Sequence, residues 1–134
     1  MLGLVEDLLR ETGASRVTLR RGEGFPVTDE ALAPGVPSIR DERRVDMKTQ
    51  PVAIEVTAGR QVVQNDSAAA YSDPAFQRML VLYGGLAAQI VTPVTRDGEV
   101  AAILSLHQLG RTRTWTEAEI EACRRAAEKA SELL

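Results

Sequence analysis

The chain has 134 residues, of which 44% are hydrophobic and 26% are charged, and its formal net charge is −3. This length and composition predict a single globular domain over residues 1–134, and no apolar run approaches the roughly 18 residues that span a bilayer. The acidic balance argues against a nucleic-acid or anionic-membrane surface, because such partners bind a dense positive face.

The N-terminal segment predicts a helix followed by a strand. Residues 2–12 repeat apolar side chains at three- and four-residue spacing, and Gly13 suits the left-handed position that ends a helix. Residues 15–21 then alternate between apolar and polar side chains, as in a strand with one buried and one solvent-exposed face. The predicted inward residues are Val17 and Leu19, and the predicted outward residues are Arg16, Thr18 and Arg20.

Two further features of the sequence bear on cellular location. Residues 1–10 contain Glu6 and Asp7 and lack the basic start and the small-residue cleavage site of a signal peptide. Cys123 is the only cysteine, so the chain has no internal disulfide and no multi-cysteine metal site. We therefore expect a cytoplasmic protein.

The middle of the chain predicts an irregular crossover between strands. Residues 25–32 suit an antiparallel edge strand, because Pro26 cannot donate to a ladder. Residues 34–50 predict a loop with one helical turn near residues 45–49. Its interleaved charges favour a solvated segment, with an anion site as the alternative. The remaining predicted elements are a helix from Pro51 to Ala58, a strand over residues 61–64, a loop over residues 67–73 and a helix from Pro74 to Tyr83.

The last third predicts a hairpin and a capped helix. Residues 86–95 and 99–109 are apolar and β-branched, and Asp97-Gly98 between them suits a two-residue turn. Thr116 and Glu119 have the spacing of a capping box. The predicted class is α+β: a central antiparallel sheet with the N- and C-terminal helices on one face. The crossover over residues 33–85 would cover the other face and leave a pocket there.

Several short motifs follow one another along essentially the whole chain: Gly13-Ala14-Ser15-Arg16-Val17-Thr18-Leu19, Ala58-Gly59-Arg60-Gln61-Val62-Val63 with Asp66, Gly85-Leu86, Ile90–Val94, Arg96–His107, and Arg113-Thr114-Trp115-Thr116 with Glu119-Ile120. In their order and spacing they resemble the GAF domain family. The resemblance implies terminal helices that often dimerise and a small-molecule pocket on the opposite face of the sheet. Family members sense cyclic nucleotides, bilins, haem, amino-acid-like metabolites or anions, and some bind nothing.

The motifs of three subfamilies are absent. Cyclic-nucleotide-binding members carry an Asn-Lys-x-Phe-type motif ending in Asp-Glu, and neither Asp29-Glu30 nor Asp41-Glu42 has that context. Members that attach a bilin place a cysteine beside a histidine, whereas Cys123 lies sixteen positions after His107. Members that reduce free methionine sulfoxide need at least two cysteines. The sequence therefore identifies no cofactor.

Six polar or aromatic residues are predicted to contact a ligand in the pocket, because polar tips among apolar walls suit such a site. They are Asp66, Tyr71, Tyr83, Gln89, Ser105 and His107. Alternatives remain for three of them: Asp66 could cap an Asx-turn, Gln89 could pair with protein or water, and His107 could be satisfied near the end of its strand. Trp115 is predicted to staple onto Ile120, and Cys123 to be a buried, inert thiol.

The predicted function is a sensory module in signal transduction that binds an unidentified small cytoplasmic metabolite, with no nucleic-acid or membrane partner. The first rival is a ligand-free module that forms a homodimer through the terminal helices, where alanines permit close approach. Those alanines are Ala122, Ala126, Ala127 and Ala130, beside Leu133 and Leu134. The second rival is a redox enzyme using Cys123. We expect no enzyme, because no catalytic triad, phosphate loop or carboxylate pair is present.

Overall fold

Five antiparallel strands form one sheet in the computed structural model, which describes residues 1–134. The strands are β1 (Arg16–Arg21), β2 (Val27–Leu32), β3 (Val62–Gln64), β4 (Leu86–Arg96) and β5 (Glu99–Leu109), in the order β2-β1-β5-β4-β3. The α-helices are α1 (Leu2–Thr12), α2 (Pro51–Thr57), α3 (Pro74–Leu82) and α4 (Glu117–Leu133). The predicted α+β class is confirmed. None of the four helices combines the length and apolar character required to cross a bilayer.

Local sequence signals set the ends of these elements as predicted. Asp97 and Gly98 adopt φ values of 54° and 80°, the left-handed pair that a tight hairpin turn requires. The Thr116 side chain accepts from the Glu119 backbone, and the Glu119 carboxylate accepts from the Thr116 backbone. Gly13 ends α1 in the left-handed region. These devices fix the β4–β5 hairpin and the start of α4.

The two faces of the sheet are covered by different parts of the chain. Helices α1 and α4 lie together on one face, where Leu104 and Leu106 join their apolar residues in one buried cluster. The segment over residues 33–85, called the crossover below, lies on the other face and forms a second cluster around Phe76 and Ile103. This separation of helices and crossover was predicted and is confirmed.

The prediction that Arg16, Thr18 and Arg20 face solvent is wrong. Arg16 and Thr18 are fully buried and Arg20 is 8% exposed, because the crossover covers their face of β1. Strand β1 lies between β2 and β5, so it is central in its half of the sheet and buried on both sides. Apolar and polar side chains do alternate along β1, but the polar side is buried under the crossover as well.

The remaining differences lie in the crossover. Residues Ser67–Ala69 form a short 3₁₀-helix where a loop was predicted. Near residues 45–49 the chain makes an isolated turn, in which the Asp46 carbonyl accepts a hydrogen bond from the Thr49 amide at 3.2 Å.

The charged segment of the crossover is exposed, and Arg44 pairs with Glu42 there at 2.7 Å, as expected of a solvated surface.

Candidate ligand site under the crossover

A small cavity of about 40 Å³ lies between the sheet and the crossover. It is lined by Arg20, Val45, Met47, Gln50, Val52, Ala53, Met79, Tyr83, Gln89, Val91, Ile103, Ser105 and His107. Since one water needs roughly 10–15 Å³ of such space, the cavity has room for about three water-sized groups. The crossover contributes Val45, Met47, Gln50, Val52, Ala53, Met79 and Tyr83 to the wall.

The polar side of the cavity comes mainly from the sheet. Ser105 and His107 are two positions apart on β5, so they point to the same face, and both are buried. Gln89 on β4 lies opposite His107 in the strand register and donates to the Gln64 side chain at 3.0 Å. Gln89 thus has a protein partner and still lines the cavity.

Arg16 connects the sheet to the crossover. Its Nε donates to His107 Nδ1 at 3.0 Å, and its terminal nitrogens donate to the carbonyls of Pro37 at 2.9 Å and Tyr83 at 2.8 Å. Next to Tyr83, Gly84 has a φ of 84°, and a Cβ there would lie 2.9 Å from Pro37 Cγ. Arg16 therefore joins β1, β5, the end of α3 and the loop after β2 at one point.

Arg20 binds the hydroxyl of Tyr83, whose backbone carbonyl is bound by Arg16. It donates to the Tyr83 hydroxyl at 2.8 Å and to the Phe25 carbonyl at 3.1 Å. The Tyr83 ring centroid lies 5.8 Å from the Arg16 guanidinium carbon and 5.9 Å from that of Arg20. Burial raises the pKa of Tyr83 and lowers the pKa of Arg16 to about 10. Two guanidinium groups thus flank one neutral phenol.

The hydrogen bond from Arg16 fixes the tautomer of His107. Nδ1 accepts this bond, so the neutral ring carries its proton on Nε2. Burial, followed by the charges of Arg16 and Arg20, holds the pKa of His107 well below 6.5. No protein group accepts from Nε2, and the ring borders the cavity, so an N–H donor is available to a ligand there.

We expect His107 to make stability depend on pH. Because its pKa is depressed in the folded state, the unfolded chain binds more protons below about pH 6.5. The free energy of unfolding should therefore fall as the pH is lowered from 6.5, with a slope approaching about 1.4 kcal/mol per pH unit. Urea unfolding between about pH 5 and 7.5 measures this slope. His107→Gln keeps an acceptor for Arg16 and should flatten it; an unchanged slope in that variant would contradict the assignment.

Four buried side-chain oxygens have no hydrogen-bond partner, and one of them, on Gln50, lies at the cavity; those of Gln61 and Ser67 lie elsewhere. Gln50 Oε1, on the wall formed by the crossover, accepts no hydrogen bond although Gln50 is buried and lines the cavity. Thr18 Oγ1 is also unpartnered, on β1 between the positions of Arg16 and Arg20. An unsatisfied buried polar atom costs about 1–3 kcal/mol, so such atoms are normally paired with protein, water or ligand.

The structure places four of the six predicted site residues at the cavity and two elsewhere. Tyr83, Gln89, Ser105 and His107 line it. Asp66 is exposed before the 3₁₀-helix, and its carboxylate makes no capping hydrogen bond. Tyr71 packs edge-on against Phe76, with ring centroids 5.1 Å apart, and does not line the cavity. Whether the first four contact a ligand stays a prediction.

Arg20, Met47 and Gln50 line the cavity and Arg16 holds His107, and none of these roles was predicted from the sequence. A signal for Arg16 and Arg20 was present. In an antiparallel pair, β1 positions opposite His107 and Ser105 share their face, and Arg16 lies opposite His107. The positions of Met47 and Gln50 depend on how an irregular loop packs, which no periodicity reports.

Cys123 is remote from this cavity. It is buried under α4 on the opposite face of the sheet, and burial raises the pKa of its thiol to about 12. We expect alkylation of the folded protein by iodoacetamide near pH 8 to be at least about a thousandfold slower than alkylation of the urea-unfolded chain. Mass spectrometry follows the reaction, and equal rates would contradict the burial.

No cluster of three or more His, Cys, Asp or Glu residues could hold a metal ion.

Comparison with known proteins gives one family match and several similar folds. The GAF domain family model matches residues 3–134. Among solved structures, the cyanobacteriochrome receptor PixJ superposes with a TM-score of 0.82 at 23% identity, over 98% of this chain and 90% of that one. The blue-light-absorbing form of the Thermosynechococcus elongatus PixJ GAF domain superposes with a TM-score of 0.81 at 22% identity, over 98% of this chain and 80% of that one.

A third structure is the photoproduct state of GAF3 from Slr1393 of Synechocystis, with a TM-score of 0.80 at 15% identity, over 96% of this chain and 87% of that one. At these identities the likeness establishes the fold and leaves the ligand open. No curated protein sequence matches the chain significantly.

Proposed function

Because this chain belongs to the GAF domain family, we propose that it is a regulatory domain in signal transduction that senses a small molecule. The ligand binds between the sheet and the crossover, and its arrival is relayed to the terminal helices. The observation that carries the proposal is the cavity, where an unpartnered Gln50 oxygen and the free His107 Nε2–H lie among apolar walls. Apolar walls with a few convergent polar groups are typical of small-molecule sites.

The size and lining of the cavity restrict the ligand. The similar solved structures are photoreceptor domains, but a linear tetrapyrrole does not fit a space of about 40 Å³. No cysteine borders the cavity to attach one, since Cys123 lies on the other face of the sheet. The proposed ligand is therefore a compact molecule bound without a covalent link, or one admitted by displacement of the loop that carries Met47.

The proposed role is binding without catalysis. The lining holds one imidazole, His107, whose Nδ1 is engaged by Arg16, and it holds no carboxylate that could act as a base beside it. The hydroxyl of Ser105 has no activating acid–base pair, because a nucleophile needs a base that is itself free to take a proton. The same groups are well suited to donate hydrogen bonds to a ligand.

A thermal-unfolding screen against cytoplasmic metabolites tests the proposal. A ligand at a hundred times its Kd should raise the free energy of unfolding by about 2.7 kcal/mol. Ser105→Val extends a side chain into the cavity and should abolish that gain, whereas Ser72→Val, at an exposed loop position, should keep it. Stabilisation that survives Ser105→Val, or none by any compound class, would contradict the proposal.

Dimerisation through the terminal helices is the second candidate, and exposed apolar side chains favour it. Leu2 is 51% exposed and Leu133 is 63% exposed. Leu133 borders a groove of about 530 Å³ between α1 and α4. The alanines expected at this interface are largely used within the chain, since Ala122, Ala127 and Ala130 are buried against the sheet. Sedimentation of the wild type and Leu133→Glu decides: a wild-type monomer at micromolar concentration excludes this function.

A further inference from the structure

We propose that the ligand of this cavity carries a carboxylate or another small oxyanion, received by Arg20, Ser105 and His107. This inference rests on the proposed function, because it assigns a chemical class to the molecule sensed at the same site. It is carried by the charges and donors around the cavity.

The crossover buries two positive charges that form no direct ion pair, although the charge of Glu30 acts on Arg16 through space. Arg16 is fully buried and Arg20 is 8% exposed, yet neither has a carboxylate oxygen within 4.0 Å. Every partner of the two guanidinium groups is neutral: three backbone carbonyls, the Tyr83 hydroxyl and His107 Nδ1. Buried charges are normally paired, since an uncompensated one is costly. An anionic ligand in the cavity would supply this partner for Arg20, which lines it.

The nearest carboxylates of the crossover side are engaged elsewhere. Glu30 accepts hydrogen bonds from the Ser38 hydroxyl and from the Ile39 amide. Glu42 accepts from the Arg44 backbone and side chain. Both acids thereby hold the loop that covers the cavity and leave the two buried guanidinium groups without a direct partner.

Three residues that carry hydrogen-bond donors line the cavity from two neighbouring strands. Arg20 on β1 lies opposite Ile103 on β5, and Ser105 and His107 follow at alternate positions of β5. All three line the cavity, with His107 offering its Nε2–H and Ser105 its hydroxyl. Hydrogen bonds from a charged donor to an anion are about twice as strong as neutral ones. On the opposite wall, the unpartnered Gln50 oxygen would accept from a donor group of the same ligand.

A cationic groove leads to this point. Arg20, Val45 and Met47 line both the cavity and an adjoining surface groove of about 330 Å³. The charged residues of the groove are Arg20, Arg40, Arg43 and Lys48 against Glu42 and Asp46, which is four positive charges against two negative ones. Such an excess attracts anions toward the groove and raises their local concentration. Displacement of Val45 and Met47 would then join groove and cavity.

Formate and formamide form a matched pair of probes, because each has three non-hydrogen atoms and only formate is charged. His107 is the only histidine, so the ring ¹⁵N and Nε2–H resonances of the intact chain report on the cavity without ambiguity. Titration at constant ionic strength should give a saturable shift of these resonances with formate and none with formamide. This measurement uses the wild-type protein and does not depend on the folding of a variant.

A pair of variants tests whether Arg20 supplies the positive charge that binds formate. Arg20→Gln should weaken formate binding by about tenfold or more, the loss of one charge-assisted hydrogen bond. Arg21→Gln, at the next position of β1, should leave the Kd unchanged. Equal shifts with formate and formamide, no shift with formate, or an unchanged Kd in Arg20→Gln would each overturn the inference. Stabilisation by a neutral metabolite in the screen above, together with any of these results, would leave the proposed function standing.

Discussion

Replacing Arg16 with alanine is expected to lower the free energy of unfolding by about 3–5 kcal/mol, because the variant leaves two buried acceptors and one part-buried acceptor without a donor. The acceptors are His107 Nδ1 at 3.0 Å, the Pro37 carbonyl at 2.9 Å and the Tyr83 carbonyl at 2.8 Å from the guanidinium nitrogens. The loss should appear as an earlier urea transition, monitored by circular dichroism.

The neighbouring residue provides the control for this variant. Arg21 lies on the same strand, is only half-buried, and its side chain makes no hydrogen bond. Arg21→Ala should therefore change the free energy of unfolding by no more than about 0.5 kcal/mol. If Arg16→Ala cost less than about 1 kcal/mol, the guanidinium group would not be what attaches the crossover to the sheet.

Replacing Trp115 with alanine is the second change with a large expected effect, a loss of about 3–5 kcal/mol. The indole is buried in the cluster beneath α1 and α4, and its N–H donates to the Gln64 carbonyl at 3.0 Å. The Arg113 guanidinium carbon lies 4.6 Å from the ring centroid. Trp115 thus attaches the start of α4 to strand β3 at the edge of the sheet.

Trp115→Phe separates the two contributions of this side chain. It keeps most of the apolar contact and removes the indole donor, so it should cost about 1–2 kcal/mol. Circular dichroism is the suitable probe, because Trp115 is the only tryptophan and its fluorescence disappears in both variants. Equal losses in the alanine and phenylalanine variants would mean that the packing of the ring contributes little.

The parts of the fold that could be predicted depend on local chemistry. A two-residue turn at Asp97-Gly98 and a capping box at Thr116 and Glu119 use neighbours in the chain, so their sequence pattern is sufficient. The shared face of α1 and α4 followed from apolar spacing together with the order of elements. These predictions are confirmed by the structure.

The parts that could not be predicted depend on which layer covers a polar face. Alternation in β1 separates Val17 from Thr18 but does not tell whether the polar side meets water or another segment. Asp66 and Tyr71 were expected at the pocket because they belong to the crossover. Their actual positions depend on how that segment packs over the sheet, through contacts distant in sequence such as the one between Gly84 and Pro37.

A crystal structure of the protein grown with the compound that stabilises it most in the thermal screen tests the central claim most directly. The compound should lie under the crossover, within hydrogen-bonding distance of Arg20, Ser105 and His107, with the terminal helices on the far side of the sheet. Density for the compound in the groove between α1 and α4, or a cavity still closed by Met47 and Tyr83 and holding only water, would contradict the account.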